Sequence, residues 1–129
     1  MTAQVAILEP ELDRLEALWA DGLADSYHAY MEHVRHFPSE TQPRLALAAA
    51  LIEVGVRLQG LGGSAAAPTT LLVGDLCLAR GSRLLADHAP LAVQVAFARS
   101  IELLSSKAAA EEPLPQARSV LRESLAAAR

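Results

Sequence analysis

The chain has a single cysteine, Cys77, so no disulfide within the chain can staple it. Its aromatics are one Trp, two Tyr and two Phe. Its basic residues number 11 against 15 acidic ones, and they cluster nowhere along the sequence. A nucleic-acid groove needs a basic track and usually stacking rings, so no nucleic-acid partner is expected. Val and Ile together fill only 11 of 129 positions, which argues against a sheet. The longest strictly apolar run, Leu45 to Ile52, is far short of the about 20 residues of a membrane span. No basic segment followed by an apolar stretch opens the sequence, so no secretory signal is expected and the reading is of a cytoplasmic protein.

Alanine (26) and leucine (22) dominate instead, and both are strong helix formers. With 52% hydrophobic and 20% charged residues the chain is too apolar to be disordered. A chain of 129 residues buries roughly two-thirds of its unfolded surface, enough for one core. The expectation is a single all-α domain over residues 1–129, a compact antiparallel bundle of about five helices.

Apolar periodicity places the helices. Leu12, Leu15, Leu18, Trp19, Leu23, Tyr27, Tyr30, Met31 and Val34 predict one amphipathic helix of roughly seven turns. Pro10, Glu11 and Asp13 mark its start, Gly22 marks a close contact or bend, and His36-Phe37-Pro38 closes it. A second helix over about Gln42 to Leu61, with Ser39 or Thr41 as cap, is apolar on nearly every side and reads as the buried centre. Gly60, Gly62, Gly63 and Ser64 stop it. A third starts at Pro68-Thr69-Thr70 and runs to Asp87, with Arg83 and Asp87 spaced to pair. A fourth follows Pro90 through Leu104, with Ser105–Glu112 as frayed end and linker. A short fifth follows Pro113 and Pro115 on a stripe of Leu114, Leu121 and Leu125. Two helices this apolar leave surface that predicts oligomerisation.

Few residues offer chemistry. His28, Glu32 and His36 stand at i, i+4 and i+8, one face of a continuous helix, and two imidazoles with a carboxylate suit a divalent metal. Cys77, in an apolar helix, reads as a small buried hydrophobe. Glu53, also in an apolar helix, needs a partner, and Arg57 at i+4 is the expected one.

The segment Leu71-Leu72-Val73-Gly74-Asp75-Leu76-Cys77-Leu78-Ala79-Arg80, continuing to Leu84-Leu85-Ala86, resembles a helix of the trans-isoprenyl diphosphate synthases. That family has an apolar run, then Gly-Asp, then a Leu-Leu-Ala-Arg phrase. Leu51 to Leu61 is similar to the family helix that precedes it, and the likeness covers about residues 42–105. The resemblance implies a truncated isoprenoid-synthase-like bundle, with Gly74 and Asp75 as the family motif. The family's Asp-rich motifs are missing, because the matching stretch is Gly60-Leu61-Gly62-Gly63-Ser64. Magnesium needs hard oxygen ligands, so neither magnesium nor any other cofactor is expected, nor prenyl transfer by this chain alone. Heterodimeric long-chain members, such as heptaprenyl diphosphate synthase, contain a small component that also lacks these motifs.

Three functions follow as expectations. The first is a non-catalytic protein acting by association, as a homodimer or as the small subunit of a catalytic prenyl synthase, through Leu72, Gly74, Leu76, Ala79 and Arg80. The second is a bundle holding an isoprenoid ligand between the second and third helices. The third is a metal-dependent enzyme built on His28, Glu32 and His36.

Overall fold

A computed structural model describes residue 17 and residues 19–59 and 68–128. A π-helical turn at Trp19–Leu23 leads into α1 (Ala24–Met31). Then come α2 (Gln42–Leu58), α3 (Pro68–His88), α4 (Leu91–Ala109), α5 (Ala117–Leu125) and a 3-10 turn at Ala126–Ala128. Among the described residues there is no strand, and no helix is long and apolar enough to cross a membrane. The all-α bundle read from composition is the architecture found.

The centre of the bundle is α2. Every residue from Ala48 to Val56 is buried, as a helix that is apolar all round requires. It packs most extensively on α3, then on α1, and also touches α5. Small residues set the α2–α3 contact. A Cβ added at Gly81 would lie 2.9 Å from the Ala48 carbonyl oxygen, and one at Gly74 would lie 3.3 Å from the Gly55 carbonyl oxygen. Gly74 and Gly81 are seven apart on α3, as Ala48 and Gly55 are on α2, so each pair lies on one face two turns apart. Gly74 meets Gly55 and Gly81 meets Ala48, so the helices run antiparallel with backbone against backbone. Such an approach is open only to residues without a side chain to hold the helices apart.

The α4–α5 pair closes the other side. It shares a buried hydroxyl pair: the Ser100 hydroxyl donates to the Ala96 carbonyl at 2.9 Å, and the Ser124 hydroxyl donates to Ser100 Oγ at 2.7 Å. His36 Nε2 is 3.0 Å from the Leu125 carbonyl oxygen. A carbonyl only accepts, so Nε2 carries the hydrogen and ties the α1–α2 connection to the end of α5.

The first helix departs most from its expectation. Its proposed start at residues 10–13, and Leu12, Leu15 and Leu18, lie outside the described residues. Its end comes at Met31 and not at His36, with Glu32 at the C-cap position. Beyond it the chain turns, burying Val34 and Phe37 in the core. The Gln42 amide donates to the Phe37 carbonyl at 2.8 Å, supplying a partner that a continuing helix would have supplied. Burial of two apolar side chains outweighs local helix preference here. Gly22 has φ +124, and a Cβ there would stand 2.9 Å from Arg57 Nη2, the close contact its position suggested.

The other boundaries shift little. The observed α2 ends at Leu58, and Gly60 to Ser64 lie outside the described residues. The Thr41 hydroxyl donates to the Pro38 carbonyl at 2.8 Å and makes no cap bond, and Thr70 lies inside the first turn of α3. The Arg83–Asp87 pair forms at 3.1 Å on the exposed side of α3. The observed α3 runs one residue past Asp87 to His88, and the N-cap position of α4 is Pro90. Residues Ser105 to Ala109, read as fraying, are helical.

Candidate functional site

The deepest polar cluster lies where α1, α2 and α5 meet. Ser26 and Tyr30 are one turn apart on α1, so both face α2. Glu53, at the middle of α2, is 8% exposed. Arg118 sits in the first turn of α5. A cation there opposes the helix dipole, so its placement needs an acidic partner to offset it.

Glu53 is that partner. Its Oε1 accepts from Tyr30 Oη at 2.9 Å and from Arg118 Nε at 3.0 Å. Its Oε2 accepts from Arg118 Nη2 at 3.0 Å and from the Ser26 hydroxyl. Nη2 also reaches Ser26 Oγ at 3.2 Å and Asp25 Oδ2 at 3.3 Å. A carboxylate offers about four lone-pair sites, and all four have donors here. Burial alone pushes the Glu53 pKa up, but the hydrogen bonds from Arg118, Ser26 and Tyr30, with the charge of Arg118, outweigh it and hold the group below the usual carboxylate range. Tyr30 moves the other way, because burial and then the Glu53 charge keep its phenol protonated. Hydrogen bonding to Glu53 likewise keeps Arg118 charged. A saturated carboxylate and a phenol held neutral have no proton to exchange near pH 7. The cluster is a three-helix tie, not an acid–base pair.

A groove of about 760 Å³ opens beside it. It is lined by Glu53, Val56 and Arg57 of α2, Leu104 of α4 and the segment from Glu112 to Arg118. Val56, Leu104, Pro113 and Leu114 give it apolar walls, while Arg57 and Arg118 give it positive edges.

The residues singled out by sequence scatter. His28 is exposed and packs on Tyr27, with ring centres 5.3 Å apart, and on Trp19 at 6.1 Å. Glu32 pairs with Arg35 at 2.9 Å. His36 lies past the helix end, on the Leu125 carbonyl. The i, i+4, i+8 face does not exist, because the helix that would carry it ends at Met31. Among the described residues no three His, Cys, Asp or Glu are grouped to hold a metal. Cys77 is fully buried on α3, as expected, and burial raises its thiol pKa, partly offset by Arg80.

The five interface candidates do not share one face. Gly74 is turned inward onto α2, which corrects its assignment to an outer contact. Leu72 and Ala79 are exposed, and Leu76 and Arg80 are half-buried. Asp75, beside Gly74, is exposed and accepts a hydrogen bond from the Gln59 amide. The expected Arg57 partner for Glu53 is replaced by Arg118, 65 residues on.

Sequence reading missed Ser26, Tyr30 and Arg118. Tyr30 hid among apolar positions, and the one local sign of Arg118 was a cation in the first turn of a short helix. No family model, curated protein or solved structure matches the chain.

Proposed function

We propose that this chain is a non-catalytic, isoprenoid-synthase-like helical protein that works by association, as a homodimer or as the small subunit of a prenyl diphosphate synthase. The observation that carries the reading is the outer side of α3. One side of this helix closes on α2 through Gly74 and Gly81, while Leu72, 62% exposed, and Ala79, seven residues on, stand outward. This is also the helix whose sequence resembles the prenyl synthases, and the resemblance names the class of partner. The saturated state of Glu53 and the burial of Cys77 support a structural role for the groups most suited to chemistry.

A tagged pull-down from the native organism, with stoichiometry read by mass spectrometry, tests the subunit form. Recovery of a prenyl synthase with intact Asp-rich motifs near one to one supports it, and the next measurement is product chain length with and without this chain. Recovery of the chain alone removes the subunit form.

A second reading rests on the groove. The helices approach backbone to backbone at Gly74 and Gly81, so among the described residues the larger space for an isoprenoid chain is the groove between α2, α4 and the Glu112–Arg118 connection. Val56, Leu104 and Leu114 would take the chain, and Arg57 and Arg118 border its head. A ligand at 100 times its dissociation constant stabilises by about 2.7 kcal/mol, a shift of several degrees. No rise in melting temperature with saturating farnesyl diphosphate sinks this reading.

A further inference from the structure

The connection between α4 and α5 turns among residues that favour helix. Ala108, Ala109, Ala110 and Glu111 are strong helix formers, so α4 could run on as far as Glu111 before Glu112, the residue preceding Pro113, ends it. The chain nevertheless turns at Ala110. The Glu111 amide donates to the Ala108 carbonyl at 3.1 Å and the Glu112 amide to Lys107 at 2.9 Å, the paired bonds of a Schellman helix end. That motif puts its turning residue in the left-handed region, where Gly is the usual choice. Here Glu111 occupies it with φ +58. A residue held there against its preference is strained. What imposes the turn is the return of α5 to the core.

A second observation concerns the connection itself. Glu112, Pro113, Pro115 and Gln116 are exposed, and from Glu112 to Gln116 only Leu114, half-buried, packs on the core beside the groove. Releasing the segment therefore loses little packing. The helix it carries is the opposite case. At nine residues α5 is too short to stay helical alone. It is held by specific contacts, Leu121 and Leu125 in the core, Ser124 on Ser100, and the two-pronged Arg118 grip on buried Glu53.

We infer that α5 exchanges between two copies of this chain. With α4 straightened through Glu111, α5 of each copy docks in the other copy's site, and the Arg118 of one meets the Glu53 of the other. The closed and exchanged forms share every contact of α5, so the balance between them is set at the hinge and by concentration. The relaxed Glu111 backbone, twice per dimer, favours exchange. Pro113 and Pro115 hold the connection extended, as a crossing segment requires. The partner is a second copy because only it supplies Arg118 in register with Leu121, Ser124 and Leu125.

The test uses the Ser100–Ser124 contact as a reporter. In a Cys77→Ala background, Ser100→Cys with Ser124→Cys places two thiols where hydroxyls now touch. The protein is concentrated to about 1 mM, dimer and monomer are separated by size, and each is oxidised. Exchange predicts that the dimer fraction runs as a covalent dimer without reductant and as a monomer with it, while the monomer fraction cross-links within itself. A dimer whose cross-links all lie within single chains overturns the proposal, because its α5 is then at home. So does the absence of any dimer at that concentration. Glu111→Gly in the otherwise native chain gives an independent check, since glycine removes the strain that favours opening. It should raise the dimer dissociation constant about tenfold by light scattering. An unchanged dimer constant in Glu111→Gly refutes the hinge argument even if the cysteine variant fails to fold.

Discussion

Glu53 shows how far a single side chain can depend on distant residues. A carboxylate inside an apolar helix is costly unless paired, and that much was plain from α2 alone. The identity of the partner was not, since Arg57 is the local choice and Arg118 is chosen by the fold. Glu53→Gln should cost about 2 kcal/mol at pH 7 by urea denaturation. That is less than the 3–5 kcal/mol of a fully buried pair, because Arg118 is about one-third exposed and keeps Asp25 at 3.3 Å. The sign of the pH effect follows from the lowered Glu53 pKa. Its contribution is complete above the unfolded value of about 4.3 and is lost as the pH falls through the lower folded value. The wild type should therefore lose stability below about pH 5, and Glu53→Gln should show a shallower loss. Equal acid slopes would sink the assignment. Tyr30 works at the other end. Its raised pKa adds stability that is complete below the unfolded value of about 10 and lost above it. Tyr30→Phe should lose about 1.5 kcal/mol at pH 7, the worth of a hydrogen bond to a charged group. It should also flatten the decline above pH 10, and a decline as steep as wild type would refute that account.

At the scale of elements, the sequence was most legible where periodicity and breakers agreed. Pro68 and Pro90 mark the starts of α3 and α4, each within one residue of its first position. The sequence extends the first helix past Met31 because Val34 continues the apolar stripe, whereas the fold buries Val34 by a turn. The α2–α3 contact is not legible in the sequence either, because Gly55, Gly74 and Gly81 carry no sign of which helix they meet. Gly81→Ala separates the two influences on that contact. Helix propensity favours alanine by about 1 kcal/mol. Against it, the new Cβ would lie 2.9 Å from the Ala48 carbonyl and 2.7 Å from Ile52 Cγ1. A backbone oxygen cannot swing aside as a side chain can, so the helices must part. The expected result is a net loss of about 1–3 kcal/mol, the cost of overpacking a filled contact. A gain in the denaturation midpoint would show that the helices are not in backbone contact.

At the scale of the molecule, the question is which surface another protein would see. Gly74 is among the interface residues expected from the sequence, which would make Gly74→Leu a probe of association. In the fold it is a probe of folding, because its added side chain meets Leu58, Gln59 and the Gly55 carbonyl within the same chain. Leu72 is the complementary probe. It is 62% exposed, so Leu72→Glu should change stability by no more than about 0.5 kcal/mol. If the outer side of α3 is the interface, a carboxylate placed there is desolvated on association and should weaken it at least about tenfold by light scattering. The two variants on one helix thus separate readouts that a single substitution would confuse. A stability loss in Gly74→Leu with no loss in Leu72→Glu confirms which side of α3 faces inward. Association unchanged in Leu72→Glu removes the α3 interface and leaves the exchange of α5, whose contacts lie across the bundle on Glu53 and Ser100, as the route to a dimer.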